Sequence, residues 1–501
     1  MGYRRAKKGI NCMSSIKDLE PRSLWSEFHE ITKVPRPSKR EEKMIAYLLE
    51  WGKAHGIETK RDEVGNVLMR KGATKGYEDL APVVLQSHID MVCEKNNDVQ
   101  HDFDVDPIDA YIDEGWVKAR GTTLGADDGI GVAAQLAVLM DPRVQHGPIE
   151  CLFTVDEETG LTGAFALQAG FFNGKILLNL DSEDEGELFI GCAGGVDTVG
   201  RFDYQVEPSL SDGVALEVSV SGLKGGHSGD DINKGLANAV KVLARLLEGI
   251  GATSTTMRIA SIEAGNLRNA IAREGKAVVV ITKKDEEQIK REFECLAAAL
   301  RNEFRTTEQT VNLTLRPSSL PKEMMTKEDT SRLISLLLAL PHGVEEMSRE
   351  MSGLVETSTN LASIRPKEGE AHCLEIATSQ RSSVESAMKY IADRVKSTFD
   401  LAGCASVRSD GYPGWAPNPS SPVVRVAEAA YERLFGVKPI VRAIHAGLEC
   451  GLFLEKYPEL DMVSFGPTLR GVHSPDERLE IASVNKFWDL LLEILKTLPK
   501  R

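Results

Sequence analysis

Short runs of consecutive apolar residues alternate with helical segments in the N-terminal part of the chain. Such runs are typical of strands that are buried on both faces. Between them, IGVAAQLAVLM repeats apolar residues with the period of a helix. This pattern predicts an α/β domain with a mostly parallel sheet flanked by helices. The three clearest strand-like runs are APVVLQSHIDMVC, IECLFTV and KILLNL.

The pattern changes after Gly200. There VALEVSVSG alternates apolar and polar residues, as in a strand with one exposed face. Two series of elements follow, each in the order strand, helix, strand, strand, helix. We interpret residues 201–402 as an inserted α+β lid domain made of two tandem β-α-β-β-α units. The first domain then comprises residues 16–200 and 403–501, and residues 1–15 are predicted to be a disordered N-terminal extension.

Acidic residues and histidines follow the predicted strands. In a parallel sheet the carboxyl ends of the strands share one edge, so these side chains are expected to lie together. Imidazoles and carboxylates are the ligands that hydrolytic zinc centres use. The pattern therefore predicts a two-metal site. Its candidate ligands are four residues at strand ends and one in a late loop, namely His88, Asp127, Glu158, Asp181 and His473.

Several candidate ligands also have a structural interpretation: His88 would be an ordinary structural histidine, and His473 would be a surface residue of its loop. Asp127 or Asp128 would cap the helix that begins near Ile130, with Asp128 as the better candidate. Glu157 and Glu158 would form a solvated acidic turn. The metal interpretation is favoured because all five positions carry a suitable ligand at once.

Two further acids predict a hydrolytic chemistry for this site. Asp90 lies two residues after His88 on the same face of a strand end, where it can accept the second ring N–H of a metal-bound histidine. Glu157 precedes Glu158 in a segment expected to be extended, where neighbouring side chains diverge. One of these glutamates can therefore bind metal while the other acts as a general base towards water.

Composition narrows the choice of partners and compartment. The 501 residues are 42% hydrophobic and 27% charged, as in an ordinary globular protein, and the length predicts at least two domains. The net charge of -15 disfavours binding to nucleic acid or to an anionic membrane surface. No apolar run reaches the roughly 18 residues of a membrane span. The eight scattered cysteines fit a reducing compartment, so we expect a cytoplasmic protein. We expect it to be either a monomer or a homodimer.

The motifs around these residues resemble those of the M20 clan of metallopeptidases. The resemblance runs from about Leu24 to Leu498 and is closest to the aminoacyl-histidine dipeptidase family. It implies a zinc-peptidase sheet with an inserted lid and two zinc ions per chain, although manganese and cobalt accept similar ligands. The matching segments are HIDMV, GADDGIG, DEETG, NLDSED and GVHSPDE for the clan, and GLKGGHSG, LRNAIARE, VETSTNLA and HAGLECGLF for the family.

The resemblance also implies a role for each ligand. Asp127 would bridge the two zinc ions. His88 and Asp181 would complete one site, and Glu158 and His473 would complete the other. Asp90 would orient His88, and Glu157 would be the general base.

Residues of the predicted lid domain, and of the segment after it, match the family's substrate-binding positions. His227 would stabilise the tetrahedral oxyanion. Arg381 would bind the terminal carboxylate of the substrate, a role that suits a guanidinium. Its structural alternative is a surface residue at the start of a helix. The full set of implied substrate-binding residues is Asn269, Arg381, His445 and Gly447.

The function implied is that of a di-zinc metallopeptidase which hydrolyses dipeptides, including Xaa-His peptides such as β-alanyl-histidine. A metal-bridging water would attack, with Glu157 as the general base. A tripeptidase or aminoacylase of the same clan is an alternative, because the metal site does not select the substrate. A non-catalytic metal-binding or peptide-binding relative is disfavoured, since neither metal requires Glu157. We expect His227 to act within its own chain.

Overall fold

The structure, a computed structural model, describes residues 15–501. The extension predicted for residues 1–15 lies outside the described residues except for Ser15. The described chain divides into two compact units, and unit 2 is an insertion into unit 1. The domain boundaries at 200/201 and 402/403 stay a prediction. Unit 1 contains the residues up to Ile190, Asn418–Arg442 and Leu452–Arg501, and unit 2 contains Gly191–Pro417 and Ala443–Gly451.

The chain begins with the elements of unit 1. After a short 3₁₀ helix at Ile16–Asp18 these are α1 (Arg22–Ile31), α2 (Glu42–His55), β1 (Glu58–Arg61), β2 (Val67–Lys71), β3 (Val83–His88), β4 (Ala110–Asp113), β5 (Trp116–Ala119), α3 (Ala126–Met140), β6 (Ile149–Thr154), α4 (Glu157–Gly160), α5 (Thr162–Ala166), β7 (Ile176–Asn179) and β8 (Glu187–Cys192).

The elements of unit 2 come next. They are β9 (Gly194–Asp203), β10 (Val206–Pro208), β11 (Gly213–Ser221), α6 (Ala239–Thr253), β12 (Arg258–Gly265), β13 (Gly275–Thr282), α7 (Glu286–Glu303), β14 (Asn312–Ser318), β15 (Glu323–Met325), α8 (Lys327–Ala339), β16 (Gly343–Met347), β17 (Val355–Pro366), β18 (Cys373–Ser382), α9 (Glu385–Leu401) and β19 (Ala405–Arg408). A 3₁₀ turn, Lys283–Asp285, precedes α7.

The last stretch of the chain belongs to unit 1 except for Ala443–Gly451, which contain the end of β20 and the start of α11. Its elements are α10 (Pro422–Phe435), β20 (Ile440–Ile444), α11 (Glu449–Lys456), β21 (Asp461–Ser464), β22 (Leu469–Arg470), β23 (Arg478–Glu480) and α12 (Ile481–Thr497). No helix in residues 15–501 combines the length and apolar character that crossing a bilayer requires.

The main sheet of unit 1 has the strand order β1-β2-β6-β3-β7-β21-β8-β20. Its centre is parallel, because β6 pairs with β3, β3 with β7, and β7 with β21 in parallel register. The pairs β1–β2, β2–β6 and β21–β8 are antiparallel. Every residue of β3, β6 and β7 is buried, as the continuous apolar runs predicted. The predicted α/β class is confirmed, and the carboxyl ends of the four central strands share one edge.

The main sheet of unit 2 has the order β14-β11-β13-β12-β17-β18-β9-β19, with β16 beside β17. In chain order its elements read β11-α6-β12-β13-α7 and then β14-α8-β17-β18-α9, with the short strands β15 and β16 inside the second series. Leu243, Phe293, Leu337 and Phe399 bring α6, α7, α8 and α9 into one buried core with the strands. The inserted unit is therefore a layer of helices on an antiparallel sheet.

Candidate metal centre

The five predicted metal ligands lie together in unit 1. His88 Nε2 is 3.1 Å from Asp127 Oδ1 and 3.5 Å from Asp181 Oδ1. His473 Nε2 is 3.2 Å from Asp127 Oδ2 and 3.0 Å from Glu158 Oε2. Each oxygen of the Asp127 carboxylate thus faces one histidine, and a further carboxylate stands beside each histidine.

Strand ends and turns position these side chains. His88 is the last residue of β3, and Asp181 follows the end of β7 by two residues. Glu158 lies in α4, which begins after β6 at a turn where Asp156 has a left-handed backbone. His473 has a φ of 60° in the loop between β22 and β23. A non-glycine residue adopts this conformation at some cost in energy, and such strain is commonest at functional sites.

The electrostatics of the cluster favour the uptake of positive charge. Burial, reinforced by the charges of Asp127 and Glu158, raises the pKa of Asp181 to about 7, although His88 opposes the shift. Hydrogen bonds to Asp127 and Glu158 raise the pKa of His473 to about 11. Burial opposes ionisation of Asp127, yet its bonds to the two histidines hold its pKa well below the usual value. Such a concentration of buried carboxylates is the environment that a bound cation would neutralise.

The donor set fits two divalent cations. His88, Asp127 and Asp181 form one group, and Asp127, Glu158 and His473 form another, with the ligand atoms of each group within 4.8 Å of one another. Glu158 Oε1 is buried, and no group in the described part of the chain forms a hydrogen bond with it. A buried carboxylate oxygen in that state is costly unless a cation binds it. Nitrogen and carboxylate donors in these numbers suit zinc and similar metals.

Asp90 links the first histidine to the turn that carries both glutamates. Its Oδ1 is 3.3 Å from His88 Nδ1 and accepts the backbone N–H of Glu157 at 3.0 Å. Its Oδ2 accepts the backbone N–H of Glu158 at 3.3 Å and the Ser38 hydroxyl at 2.8 Å. The two glutamates begin a helical turn and are not extended as expected, but neighbouring side chains of a helix also point in different directions.

The segment that carries Asp127 also contains the expected helix cap. Asp127 and Asp128 have non-helical dihedral angles, so the regular part of α3 begins after them. Asp128 Oδ1 accepts the backbone N–H of Gly131 at 3.1 Å, which is the cap that the sequence favoured. Asp127 is left to face the two histidines.

A chain of buried polar side chains beneath the ligands was missed from the sequence. Asn179 Nδ2 donates to Gln86 Oε1 at 2.6 Å, and Gln86 Nε2 donates to Thr154 Oγ1 at 3.1 Å. The Ser464 hydroxyl donates to Asn179 Oδ1. These side chains come from the four central strands β7, β3, β6 and β21. The available signal was a polar residue inside each apolar run.

The predicted substrate-binding residues lie in unit 2. Asn269 and Arg381 line a cavity of about 200 Å³, together with Tyr412. Arg381 lies in β18 and is 9% exposed, so its alternative placement at an exposed helix start is wrong. Its Nη1 donates to the Tyr412 hydroxyl at 3.0 Å, whereas its buried Nε has no partner among residues 15–501. A guanidinium in this state can still bind a carboxylate.

Two histidines of unit 2 lie near this guanidinium. Burial, Arg381 and His227 lower the pKa of His445 to about 3, and its Nε2 is 2.7 Å from the Ser358 hydroxyl. Burial and Arg381 also lower the pKa of His227. His227 Nδ1 accepts the backbone N–H groups of Gly229 and Asp230, at 3.3 and 3.2 Å. The neutral ring therefore carries its proton on Nε2, where it can donate.

Gly447 makes room for Tyr412, which was not among the residues predicted from the sequence. A Cβ at Gly447 would lie 2.9 Å from Tyr412 Cε2, and one at Gly195 would lie 2.7 Å from the Tyr412 hydroxyl oxygen. Both glycines thus allow the Tyr412 ring to reach Arg381. Tyr412 is reached from Gly195 across a β-bridge, a contact that no spacing in the sequence reveals.

Comparison with known proteins gives consistent matches over nearly the whole chain. The model of peptidase family M20/M25/M40 matches residues 84–497. The cytosol non-specific dipeptidase of Escherichia coli (strain K12) is 44% identical over 491 residues, which cover 98% of this chain and 100% of that protein. The structure of aminoacylhistidine dipeptidase from Vibrio alginolyticus matches with a TM-score of 0.90 and 42% identity, covering 97% of this chain and 99% of that one.

A more distant structure shares the fold alone. Aminopeptidase PepT from Bacillus cereus matches with a TM-score of 0.54 and 17% identity, over 95% of this chain and 98% of that one. The resemblance predicted from the motifs is confirmed by the family model and by the Escherichia coli and Vibrio alginolyticus relatives.

Proposed function

Because the chain belongs to peptidase family M20/M25/M40, we propose that it is a di-zinc dipeptidase whose substrates include Xaa-His peptides such as β-alanyl-histidine. The observation that carries the proposal is the Asp127 carboxylate, with one oxygen towards His88 and the other towards His473. This arrangement suits two cations that share one bridging ligand. The names of the Escherichia coli and Vibrio alginolyticus relatives support the substrate class and, for the former, a place in the cytosol.

The metal ligands are proposed as two sets that share Asp127. His88 and Asp181 would complete one site, and Glu158 and His473 would complete the other. When bound there, two zinc ions would supply Lewis-acid chemistry, polarising the scissile carbonyl and activating water. Manganese and cobalt accept the same donors.

Glu157 is proposed as the general base. It would take a proton from the attacking water and deliver it to the leaving amine. Two contacts support this role: the backbone N–H of Glu157 is tied to Asp90, and a side-chain oxygen lies within 4.8 Å of donor atoms of His88 and Glu158. The base is therefore fixed to the same aspartate that contacts the first metal-binding histidine.

The residues of unit 2 would bind and polarise the substrate. His227 would donate its Nε2–H to the oxyanion that develops on the carbonyl. Arg381 would bind the free carboxylate of a short peptide. Its Nε, which has no hydrogen-bond partner within residues 15–501, and the adjoining cavity of about 200 Å³ support this role. Asn269, His445 and Gly447 would complete this subsite. That His227 serves its own chain stays a prediction.

The test of the mechanism is Glu157→Gln. We expect kcat to fall by about 10²- to 10⁴-fold, the usual contribution of general acid–base catalysis, with two metals still bound per chain. Glu158→Gln is the matched control, because it removes a proposed ligand one residue away and should lower the metal content. Near-normal turnover of the Glu157→Gln enzyme would contradict the role of this residue.

A substrate panel separates the dipeptidase from the alternatives. β-Alanyl-histidine, other dipeptides, tripeptides and N-acetyl amino acids should be compared at equal enzyme and zinc concentration. We expect the dipeptides to have the highest kcat/KM, and a chelator to abolish their hydrolysis. A preference for tripeptides or N-acetyl amino acids would favour the tripeptidase or aminoacylase alternative.

A further inference from the structure

The carboxylate of Glu477 accepts hydrogen bonds from four consecutive backbone N–H groups. Leu124 and Gly125 donate to Oε2 at 2.7 and 3.0 Å. Ala126 and Asp127 donate to Oε1 at 2.7 and 3.4 Å. Glu477 is only 2% exposed. One buried carboxylate therefore holds the backbone of the residue that is proposed to bridge the two metals.

Asp128 caps the regular part of α3, but the N–H groups of residues 124–127, ahead of it, need another acceptor. Gly125 stands at the N-cap position of α3, has a φ of 68° and offers no side chain to accept the N–H groups that follow it. Buried N–H groups without an acceptor are costly, and a negative charge at a helix N-terminus is favourable. Glu477, more than 350 residues away in the chain, supplies the acceptor.

A buried arginine binds a backbone carbonyl oxygen of the same segment. Arg36 is 3% exposed. Its Nη1 donates to the carbonyl oxygens of Ile89 and Asp90, at 3.0 and 2.8 Å, and its Nη2 donates to that of Gly125. A Cβ on Gly125 or on Gly129 would lie 2.6 Å from Nη2. The arginine thus packs against bare backbone and joins the strand end that carries Asp90 to the segment of Asp127.

We propose that Glu477 and Arg36 are positioning residues that set the Asp127 carboxylate between the two histidines before metal binds. The inference rests on the proposed metal centre. Glu477 lies four residues after His473, so the same carboxylate couples the loop of one histidine to the segment of the bridging aspartate. Burying these charges is costly unless hydrogen bonds satisfy them. Within residues 15–501, the hydrogen bonds of the two side chains go to the backbone of residues 89–90 and 124–127, at or next to Asp90 and Asp127.

The first experiment compares Glu477→Gln with Asp476→Asn. Both changes remove one negative charge from the same loop, but Asp476 is exposed, and among the described residues no hydrogen bond or ion pair joins its side chain to the segment of Asp127. In Glu477→Gln an NH₂ group replaces one acceptor oxygen, so two of the four N–H groups lose their acceptor whichever way the amide turns. We expect Co²⁺ and Zn²⁺ to bind about 10- to 100-fold more weakly, the usual effect of changing residues that orient ligands.

The readout is metal binding to folded protein. Titration with Co²⁺ is followed by its visible absorption spectrum, which reports coordination geometry, and Zn²⁺ affinity is measured by competition with a chelator. Asp476→Asn should behave like the wild type in both. If Glu477→Gln melts at a lower temperature but keeps wild-type affinity and spectrum, the residue is merely structural and the proposal is wrong.

Hydrogen exchange of the wild-type protein tests the same idea without a variant. The amides of residues 124–127 should be protected in metal-free protein, because Glu477 already holds them. Fast exchange that slows only after metal is added would overturn the proposal, even if Glu477→Gln does not fold. A wild-type protein that fails to bind two metals would instead refute the proposed function, so the two failures are distinguishable.

Discussion

Replacing Gly447 with Ala should weaken substrate binding indirectly, by displacing the neighbouring Tyr412. The new Cβ would meet Tyr412 Cε2 at 2.9 Å and its hydroxyl oxygen at 3.2 Å. Ordinary contact needs several tenths of an ångström more, so the half-buried Tyr412 ring must shift. The shift strains or breaks the bond from Arg381 Nη1 to the hydroxyl.

The magnitude follows from that one bond. A hydrogen bond to a charged group contributes about 1.5–3 kcal/mol, and each 1.4 kcal/mol changes an equilibrium constant about tenfold. If Arg381 binds the carboxylate of the peptide in both the ground and transition states, its misplacement raises KM more than it lowers kcat. We expect KM to rise by about tenfold or more in Gly447→Ala, with kcat within about threefold of the wild type.

The assay compares a dipeptide with its C-terminal amide. The amide lacks the carboxylate, so Gly447→Ala should change its KM much less. Tyr412→Phe should raise the KM of the dipeptide to a similar extent, because it removes the same bond without adding a Cβ. In the double variant the two effects should be less than additive, since both act through one interaction.

Two results would refute this reasoning. One is a Gly447→Ala enzyme with wild-type KM for the dipeptide. The other is full additivity of Gly447→Ala and Tyr412→Phe, which would mean that Gly447 acts on the substrate directly and not through the tyrosine.

Three further predictions concern other contacts. Asp90→Asn should weaken zinc binding by about 10- to 100-fold in a chelator competition, and an unchanged dissociation constant would exclude its orienting role. Burial, Arg381 and His227 lower the pKa of His445 to about 3, below the unfolded value of about 6.5. The stability that neutral His445 contributes is therefore complete above about pH 6.5 and is lost as the pH falls towards 3. Its ring NMR signals should not titrate between about pH 8 and 5, and a midpoint near pH 6 would contradict this. Glu308 accepts backbone N–H groups at both ends of the loop that carries His227. Glu308→Ala should therefore lower kcat about 10- to 100-fold. An unchanged kcat would show that the loop keeps its conformation without Glu308.

The sequence predicted most of unit 1 because its strands are buried on both faces. Continuous apolar runs identify such strands without knowledge of their neighbours, and β3, β6 and β7 follow them closely. The candidate ligands were found for the same reason, since residues at the carboxyl ends of parallel strands share one edge. Both inferences need only the local pattern of apolar residues and the rule that parallel strands end at one edge of the sheet.

Contacts between distant segments could not be predicted in this way. Tyr412 reaches Arg381 because its backbone pairs with Gly195, and Glu477 reaches Gly125 across most of the chain. Each contact depends on where a loop comes to lie in three dimensions. Glu477 lies in the same motif as His473. Nothing in the spacing of that motif indicates that the Glu477 side chain accepts the backbone N–H groups of residues 124–127. Residues 443–451 belong to unit 2 for a similar reason, because Ala193 bonds to the carbonyl of Ile444.

The buried polar chain beneath the metal centre explains how the strand ends keep their alignment. Gln86 pairs with Asn179 in the parallel register of β3 and β7, and Asn179 pairs with Ser464 in that of β7 and β21. A slip of one residue would turn these side chains to the opposite face and leave buried polar groups unpaired, at about 1–3 kcal/mol each. An apolar row would tolerate such a slip better. The hydrogen-bonded row therefore favours the one register in which His88 and Asp181, two positions further along, come to stand 3.5 Å apart.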